Sequence, residues 1–382
     1  MDGTFALGSN GSGQLGIGHK DDVCVPKQSQ FYPSPPSSPV VKIAAGGNHA
    51  LLLTQAGELY WSGDSTSGAC GATTSQVSAS VFQQVRLTND AQEQAVGHIE
   101  LVAVTWEASF IVARDGQGKR TNLFSFGAGN KGELGVGELL VRTPTATLFK
   151  GFPPAHTEIV DLDACMGHVV VVLSNGDAYG WGNGRKGQIG LPGAVVHSPR
   201  KIDNVGFSVS RAVCAKESTC LFGEAGSGEM RIVGSDKWGL CSKAPAEAPA
   251  WIDVAASWGD FYILRQDGSL LGWGRDDHGQ LPPPNLPRIV KIAAGSEHVV
   301  ALSEDGDVLA WGWSEHGNCG PQLDTNNVKG RPRAIASSKY IPPSCRIDGI
   351  GAGWATSWIC IQSAGSSETE DRPGCDSATS RV

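Results

Sequence analysis

Short apolar runs alternate with glycine-rich turns along almost the whole chain, and two patterns recur. The first is an apolar strand closing on glycine. It runs Phe5-Ala6-Leu7-Gly8, then Tyr60-Trp61-Ser62-Gly63, Phe124-Ser125-Phe126-Gly127 and Tyr179-Gly180-Trp181-Gly182. It continues as Arg231-Ile232-Val233-Gly234, Leu271-Gly272-Trp273-Gly274 and Leu309-Ala310-Trp311-Gly312. The second pattern is an apolar strand, a tight turn and another apolar strand, as in Ile43-Ala44-Ala45-Gly46-Gly47-Asn48-His49-Ala50-Leu51-Leu52-Leu53. Its turn returns at 105–108, 165–168, 214–217, 257–260, 295–298 and 353–356.

The glycines that close the first pattern lie 55, 64, 55, 52, 40 and 38 residues apart. Runs this short, bounded by glycine and lacking a helical period, predict strands. Four short strands in each unit of about 40–60 residues predict a propeller blade. The fold class is therefore all-β, a seven-bladed β-propeller. The chain starts on the first pattern and ends on the second, so 4–8 is expected to complete a blade whose other strands come from the C-terminus. That splice closes the ring and leaves no open sheet edge. The propeller is placed at 1–362, with 31–39, 73–98 and 322–343 as loop insertions. The polar segment 363–382 is expected to be a disordered tail.

Composition narrows this picture. Glycine is 51 of 382 residues, about twice the usual share, and the turns absorb the excess. The net charge of −8, without a Lys/Arg run, disfavours direct nucleic-acid binding through phosphate neutralisation. No apolar stretch approaches the length of a membrane span, and the N-terminus does not resemble a signal peptide. Ten cysteines without a Cys-x-x-Cys pair are read as reduced thiols, which suggests the cytosol with the nucleus open.

Candidate chemistry is sparse. No Gly-x-Ser-x-Gly elbow, His-Glu-x-x-His or Gly-x-x-x-x-Gly-Lys occurs, and the glycine-rich turns lead to strands rather than to phosphate-binding helix starts. No catalytic residue, cofactor or metal is expected. Cys70, Cys241 and Cys319 align with Leu15, Leu134, Ile189 and Leu281, and read as small buried apolar residues. His316 and Cys319 have ligand-like spacing beside Glu315, but no second ligand pair is near, so zinc is not expected. His49, His168 and His298 share one slot and are expected to hold their turns by bonding backbone groups.

The tryptophans divide. Trp61, Trp181, Trp273 and Trp311 stand in the strand pattern and are expected to pack between strands. Trp106, Trp258 and Trp354 stand in the turn slot that Gly47 fills, where no bulk is required. Exposed indoles among polar neighbours are typical partner anchors, with local packing as the other reading. Glu107, Glu217, Asp260 and Glu297 are expected to frame them on the same face. A second candidate patch is Trp313, Glu315, His316 and Asn318, because the other blades carry small or polar residues, or Arg275, at the slot of Trp313. Trp238 is a further candidate.

The Gly8–Gly16 turn and Ala44-Ala45-Gly46-Gly47-Asn48-His49 resemble the repeats of the regulator-of-chromosome-condensation family over about residues 4–362. Within it, Phe5-Ala6-Leu7-Gly8-Ser9-Asn10-Gly11, Gln14-Leu15-Gly16-Ile17-Gly18-His19, Gly46–His49, the run Trp311–Gln322 and Ala355-Thr356-Ser357-Trp358-Ile359 resemble a fungal alpha-tubulin-suppressor (killer-toxin-insensitivity) subfamily. That resemblance implies a non-enzymatic regulatory scaffold. It implies a one-to-one complex with a small metal-holding, rubredoxin-like electron carrier of CSL zinc-finger type. The pair would support diphthamide synthesis on elongation factor 2 and Elongator-dependent modification of wobble uridines in tRNA. The family's founding members point to the alternative, a guanine-nucleotide exchange factor for a small GTPase. A tubulin-associated role has no residue to support it.

Overall fold

The structure, a computed structural model, describes residues 3–71, 78–85, 87, 96–248, 250–321 and 325–363. Its strands form seven antiparallel sheets, which are the seven blades. Blade 1 comprises Val40–Ala45, His49–Thr54, Leu59–Asp64 and Ser78–Val85, with Phe31–Tyr32 added in parallel outside. Blade 2 comprises Ile99–Val104, Ala108–Arg114, Arg120–Ala128 and Arg142–Leu148; blade 3 comprises Ile159–Cys165, His168–Leu173, Ala178–Gly184 and Ala194–Lys201. Blade 4 has Arg211–Cys214, Ser218–Phe222 and Met230–Gly234; blade 5 has Trp251–Ala256, Asp260–Arg265 and Leu270–Gly274. Blade 6 has Ile289–Ala294, His298–Ser303, Asp307–Trp313 and Asn327–Ser337. Blade 7 is the splice: Cys345–Ala352 and Thr356–Ser363 pair with Gly3–Gly8, which pairs with Val23–Gln28. Among the described residues no helix is long and apolar enough to cross a membrane.

The second strand of each blade explains the strongest apolar runs. His49–Thr54, His168–Leu173 and His298–Ser303 are buried at every position, because neighbouring blades cover both faces. The hydrophobic core is correspondingly divided into seven clusters, one at each seam between blades. Trp61, Trp181, Trp273 and Trp311 are buried in these seams as expected. The indole N–H of Trp181 donates to Glu133 O (2.8 Å), that of Trp273 to Leu240 O (2.9 Å) and that of Trp311 to Gln280 O (3.0 Å). Each of these bonds reaches the turn of the preceding blade.

Four expectations need correction. The segments 31–39, 73–98 and 322–343 are not only loops: they contain Phe31–Tyr32, Ser78–Val85 and Asn327–Ser337. The described parts of these outer strands are half exposed, so they lack the apolar run that marked the inner ones. Blades 4 and 5 have three strands rather than four among the described residues. Cys70 and Cys319 are buried seam residues, but Cys241 is exposed and Leu240 fills the core instead. The one-residue swap accompanies a turn in which Trp238 takes a left-handed φ of 65°. Ser363, expected to open the tail at 363–382, instead ends the last strand, and the rest of that segment lies outside the described residues.

The recurrent histidines, expected to bond backbone groups of their own turns, reach hydroxyls of the next blade instead. The Nε2 of His49, His168 and His298 meets the hydroxyl of Ser109 (3.2 Å), Thr219 (3.0 Å) and Ser357 (3.0 Å), each in the next blade. Those hydroxyls donate their single proton to Ala69 O, Gln188 O and Asn318 O at 2.6–2.7 Å. Each histidine must therefore be the donor, protonated at Nε2. Histidine and hydroxyl together form a bolt between blades.

The closing glycines are equally specific. Gly182 has φ 97°, and a Cβ there would run into Gly167 O, the carbonyl of the turn beside it. All seven glycines of this pattern share that left-handed φ and that neighbour. Gly182→Ala is expected to cost about 3 kcal/mol or more, from φ strain plus the displaced turn. Urea unfolding should register the loss; a cost below about 1 kcal/mol would contradict the close approach.

Candidate functional site

The turns between first and second strands encircle one mouth of the axial channel. Their backbones join successive blades: Gly47 N donates to Trp106 O and Trp106 N to Met166 O, both at 3.1 Å. Lys216 N donates to Trp258 O, Trp258 N to Ser296 O and Ser296 N to Trp354 O, at 2.9–3.1 Å. This chain of bonds confirms that Trp106, Trp258 and Trp354 occupy the slot of Gly47. The channel behind them holds a cavity of about 500 Å³ walled by the first strand of every blade.

The three indoles, from blades 2, 5 and 7, meet over that mouth. Trp354 lies between the others, 3.9 Å from Trp106 and edge-on to Trp258 at 5.0 Å between ring centroids. Local packing therefore accounts for one side of the cluster, while Trp106 remains 41% exposed on the other. A pre-packed aromatic group of this kind has little rotamer freedom left to lose on binding.

The second patch belongs to the same place. Trp313, Glu315, His316 and Asn318 line one cavity of about 240 Å³ together with Trp106, Trp258, Trp354 and Glu297. Trp313 stacks on His278, with centroids 4.9 Å apart and planes 14° from parallel. His316 Nδ1 lies 2.7 Å from Asp22 Oδ2 and so ties blade 6 to the long turn of blade 7.

Three expected face residues turn out to be framework. Asp260 is buried: it opens the second strand of blade 5, in the slot that carries histidine in blades 1, 3 and 6, and so points between blades. It accepts a hydrogen bond from the Ser257 hydroxyl, and burial pushes its pKa up to about 7. Asn318 is buried and donates to Trp313 O at 2.9 Å, holding its turn closed. Glu297 reaches the cavity wall but is buried against the Arg275 guanidinium, which donates to it. Neither spacing nor residue type distinguishes these inward orientations from outward ones.

Glu107 and Glu217 do lie on the face. They share a cavity of about 490 Å³ with Trp106, Lys131 and Lys216. A third cavity, of about 310 Å³, adjoins it through Lys216 and Glu217 and holds Trp238, Trp258, Lys237 and Arg275. Trp238 is 43% exposed. Lys216 Nζ sits 4.7 Å from the Trp258 ring, while Lys237 and Arg275 lie 5.4 and 5.3 Å from the Trp238 ring. These cations escaped sequence reasoning because each is a single turn residue, and the packing of blade 5 against blade 4 gathers them.

Comparison with known proteins bears on this geometry. The family profile described as an RCC1-like domain matches residues 3–359. An RCC1 repeat-containing protein of Schizosaccharomyces pombe is 30% identical over 291 residues, covering 72% of this chain and 77% of that one. The secretion-regulating guanine nucleotide exchange factor of Bos taurus is 26% identical over 302 residues, covering 72% of this chain. This chain spans 60% of that relative's length. Among solved structures, Prp20p of Saccharomyces cerevisiae superposes with TM-score 0.76 at 21% identity, over 95% of this chain and 92% of that one. Human WBSCR16 superposes with TM-score 0.77 at 17% identity, over 95% and 100%. At such identities these two likenesses concern the fold.

Proposed function

The chain belongs to the RCC1-like domain family, and from that premise we propose that it is a non-enzymatic scaffold whose tryptophan-centred face docks a partner protein. The carrying observation is that four separated segments deliver Trp106, Trp258, Trp354 and the pair Trp313 and His316 to one cavity at the channel mouth. Clustered, partly exposed indoles on a rigid frame have the make-up of a binding hot spot.

The partner in this reading is a small metal-holding electron carrier of rubredoxin-like, CSL zinc-finger type, bound one to one. The complex supports diphthamide synthesis on elongation factor 2 and Elongator-dependent tRNA wobble-uridine modification. The support is positional: Trp313, Glu315 and His316, within the run that most resembles the fungal subfamily, line the tryptophan cavity. Docking there covers or exposes the carrier's metal site and so governs which acceptor receives its electron.

Trp106→Ala and Trp313→Ala are each expected to weaken carrier binding about thirtyfold, roughly 2 kcal/mol, with melting temperatures within a few degrees of the parent. Titration calorimetry against the purified carrier measures this, and unchanged binding by both variants refutes the face. The second reading, guanine-nucleotide exchange, is favoured by the similarity to the secretion-regulating exchange factor. Accelerated release of labelled GDP from a small GTPase, with no carrier binding, would decide for it.

A further inference from the structure

The 310 Å³ cavity beside Trp258 differs in character from the tryptophan cavity. Its walls bring together Lys216, Lys237 and Arg275 with Glu217 and Glu297, on a molecule of net charge −8. Arg275 is committed to two carboxylates, Glu297 and Asp277. Lys216 and Lys237 are exposed, and neither has a carboxylate ion pair among the described residues. Both ammonium groups rest on indole faces instead, Lys216 on Trp258 and Lys237 on Trp238. An indole lying under an ammonium limits the directions it takes and leaves its remaining donors for a ligand.

Trp238 also departs from the other turns of the repeat. Its left-handed φ of 65° is unfavourable for a residue with a Cβ. The corresponding turn position in blade 7, Ser12, is not in that conformation. Burial does not explain the departure either, since the side chain faces solvent above the cavity. The neighbouring structure holds this strain, since Leu240, two residues on, fills the core in place of Cys241 and leaves the indole at the cavity wall.

We propose that the Trp238–Trp258 cavity is an acid-accepting subsite, taking an Asp or Glu side chain from an acidic segment of the docked protein between Lys216 and Lys237. The inference rests on the docking role proposed above and specifies the partner's chemistry. Formal charges on the walls sum to one positive, from three cations and two carboxylates. A single carboxylate neutralises that sum, whereas a phosphate chain overloads it. The carboxylate's charge-assisted bonds to two ammonium groups give direction, and the indoles cover the methylenes of the acidic side chain. Because the rest of the molecule is acidic, this positive point also orients an acidic partner on approach.

The test uses the full chain and a hexaglutamate peptide, followed by indole N–H resonances and calorimetry. The Trp238 and Trp258 signals, assigned by Trp→Phe substitution, are expected to move on titration. Binding should weaken about tenfold in K216Q/K237Q and at high salt, while K131Q, in the neighbouring cavity, leaves it unchanged. Equal binding by the double variant overturns the subsite. So does a hexalysine peptide that shifts the same indoles, or a dT10 oligonucleotide that binds there more tightly than hexaglutamate. The docking role is judged separately by carrier binding. If Trp106→Ala abolishes carrier binding and K216Q/K237Q does not alter it, the subsite fails and the face stands. Lysine-dependent hexaglutamate binding without carrier binding leaves the subsite and removes the carrier.

Discussion

A chain lacking residues 1–8 is expected not to fold. Gly3–Gly8 pairs residue by residue with Ile361–Thr356 on one side, and on the other pairs with Gln28–Val23 through a register shift between Ala6 and Gly8. Its removal leaves Val23–Gln28 without a strand partner and strips one of the two ladders from Thr356–Ser363. Ala6 and Leu7 are fully buried, and Ala6 stands opposite Trp358, a core residue of the seam between blades 7 and 1. Losing a buried leucine costs about 2–5 kcal/mol, and each buried backbone group left without a partner adds about 1–3 kcal/mol. Several such losses together exceed the roughly 5–15 kcal/mol that holds a typical domain. The expected result is an insoluble chain, or one with no cooperative melt in far-UV circular dichroism. A truncated protein melting within about 5 °C of the parent would show that the ring does not depend on its splice.

The second large effect concerns His168. Burial holds its pKa down at about 3, against 6.5 for a free imidazole. The structural reason is visible: Nε2–H donates to Thr219, and Nδ1 is buried with no acceptor to receive a proton. Between pH 6.5 and 3 the unfolded chain binds this proton and the folded chain does not, so stability falls as pH falls through that window. The full shift is worth about 5 kcal/mol, of which about 2 kcal/mol is lost by pH 5. His49 and His298, both lowered to about 4 by burial, act with the same sign.

Asp163 and Asp260 act with the opposite sign. Burial raises their pKa values to about 6 and about 7, so protonation relieves a cost as pH falls. A comparison within the same background removes them. His168→Gln loses a buried hydrogen bond and is less stable at pH 7, but it has no proton to gain. Its deficit relative to the parent should shrink by about 2 kcal/mol between pH 7 and pH 5 in urea titrations. A deficit independent of pH would mean that His168 is not held neutral by the fold.

Most of the ring was legible because each repeat states its own strands. The apolar second strands, the closing glycines and the seam tryptophans carry local patterns that their seams impose on them. The outer strands were less legible: Ser78–Val85, flanked only by the short Phe31–Tyr32, and the edge strand Asn327–Ser337 are covered in part, so no alternation is demanded. The face was legible in part. Trp106, Trp258 and Trp354 stood out because bulk replaced glycine in a turn, and Trp313 because small or polar residues, or an arginine, fill its slot elsewhere.

What the sequence by itself determined is the periodic architecture: seven units, the splice between the two ends, and the residues each unit spends on its own seams. What only the tertiary structure decided is which way individual side chains point and which distant ones meet. Asp260, Asn318 and Glu297 read as surface groups, yet the pleat and the neighbouring blade turn them inward. Lys216, Lys237 and Arg275 read as unrelated turn residues, yet the packing of blade 5 against blade 4 places them around one cavity with Trp238. Local patterns record the packing each residue meets within its blade, whereas contacts across the ring depend on the closure of all seven.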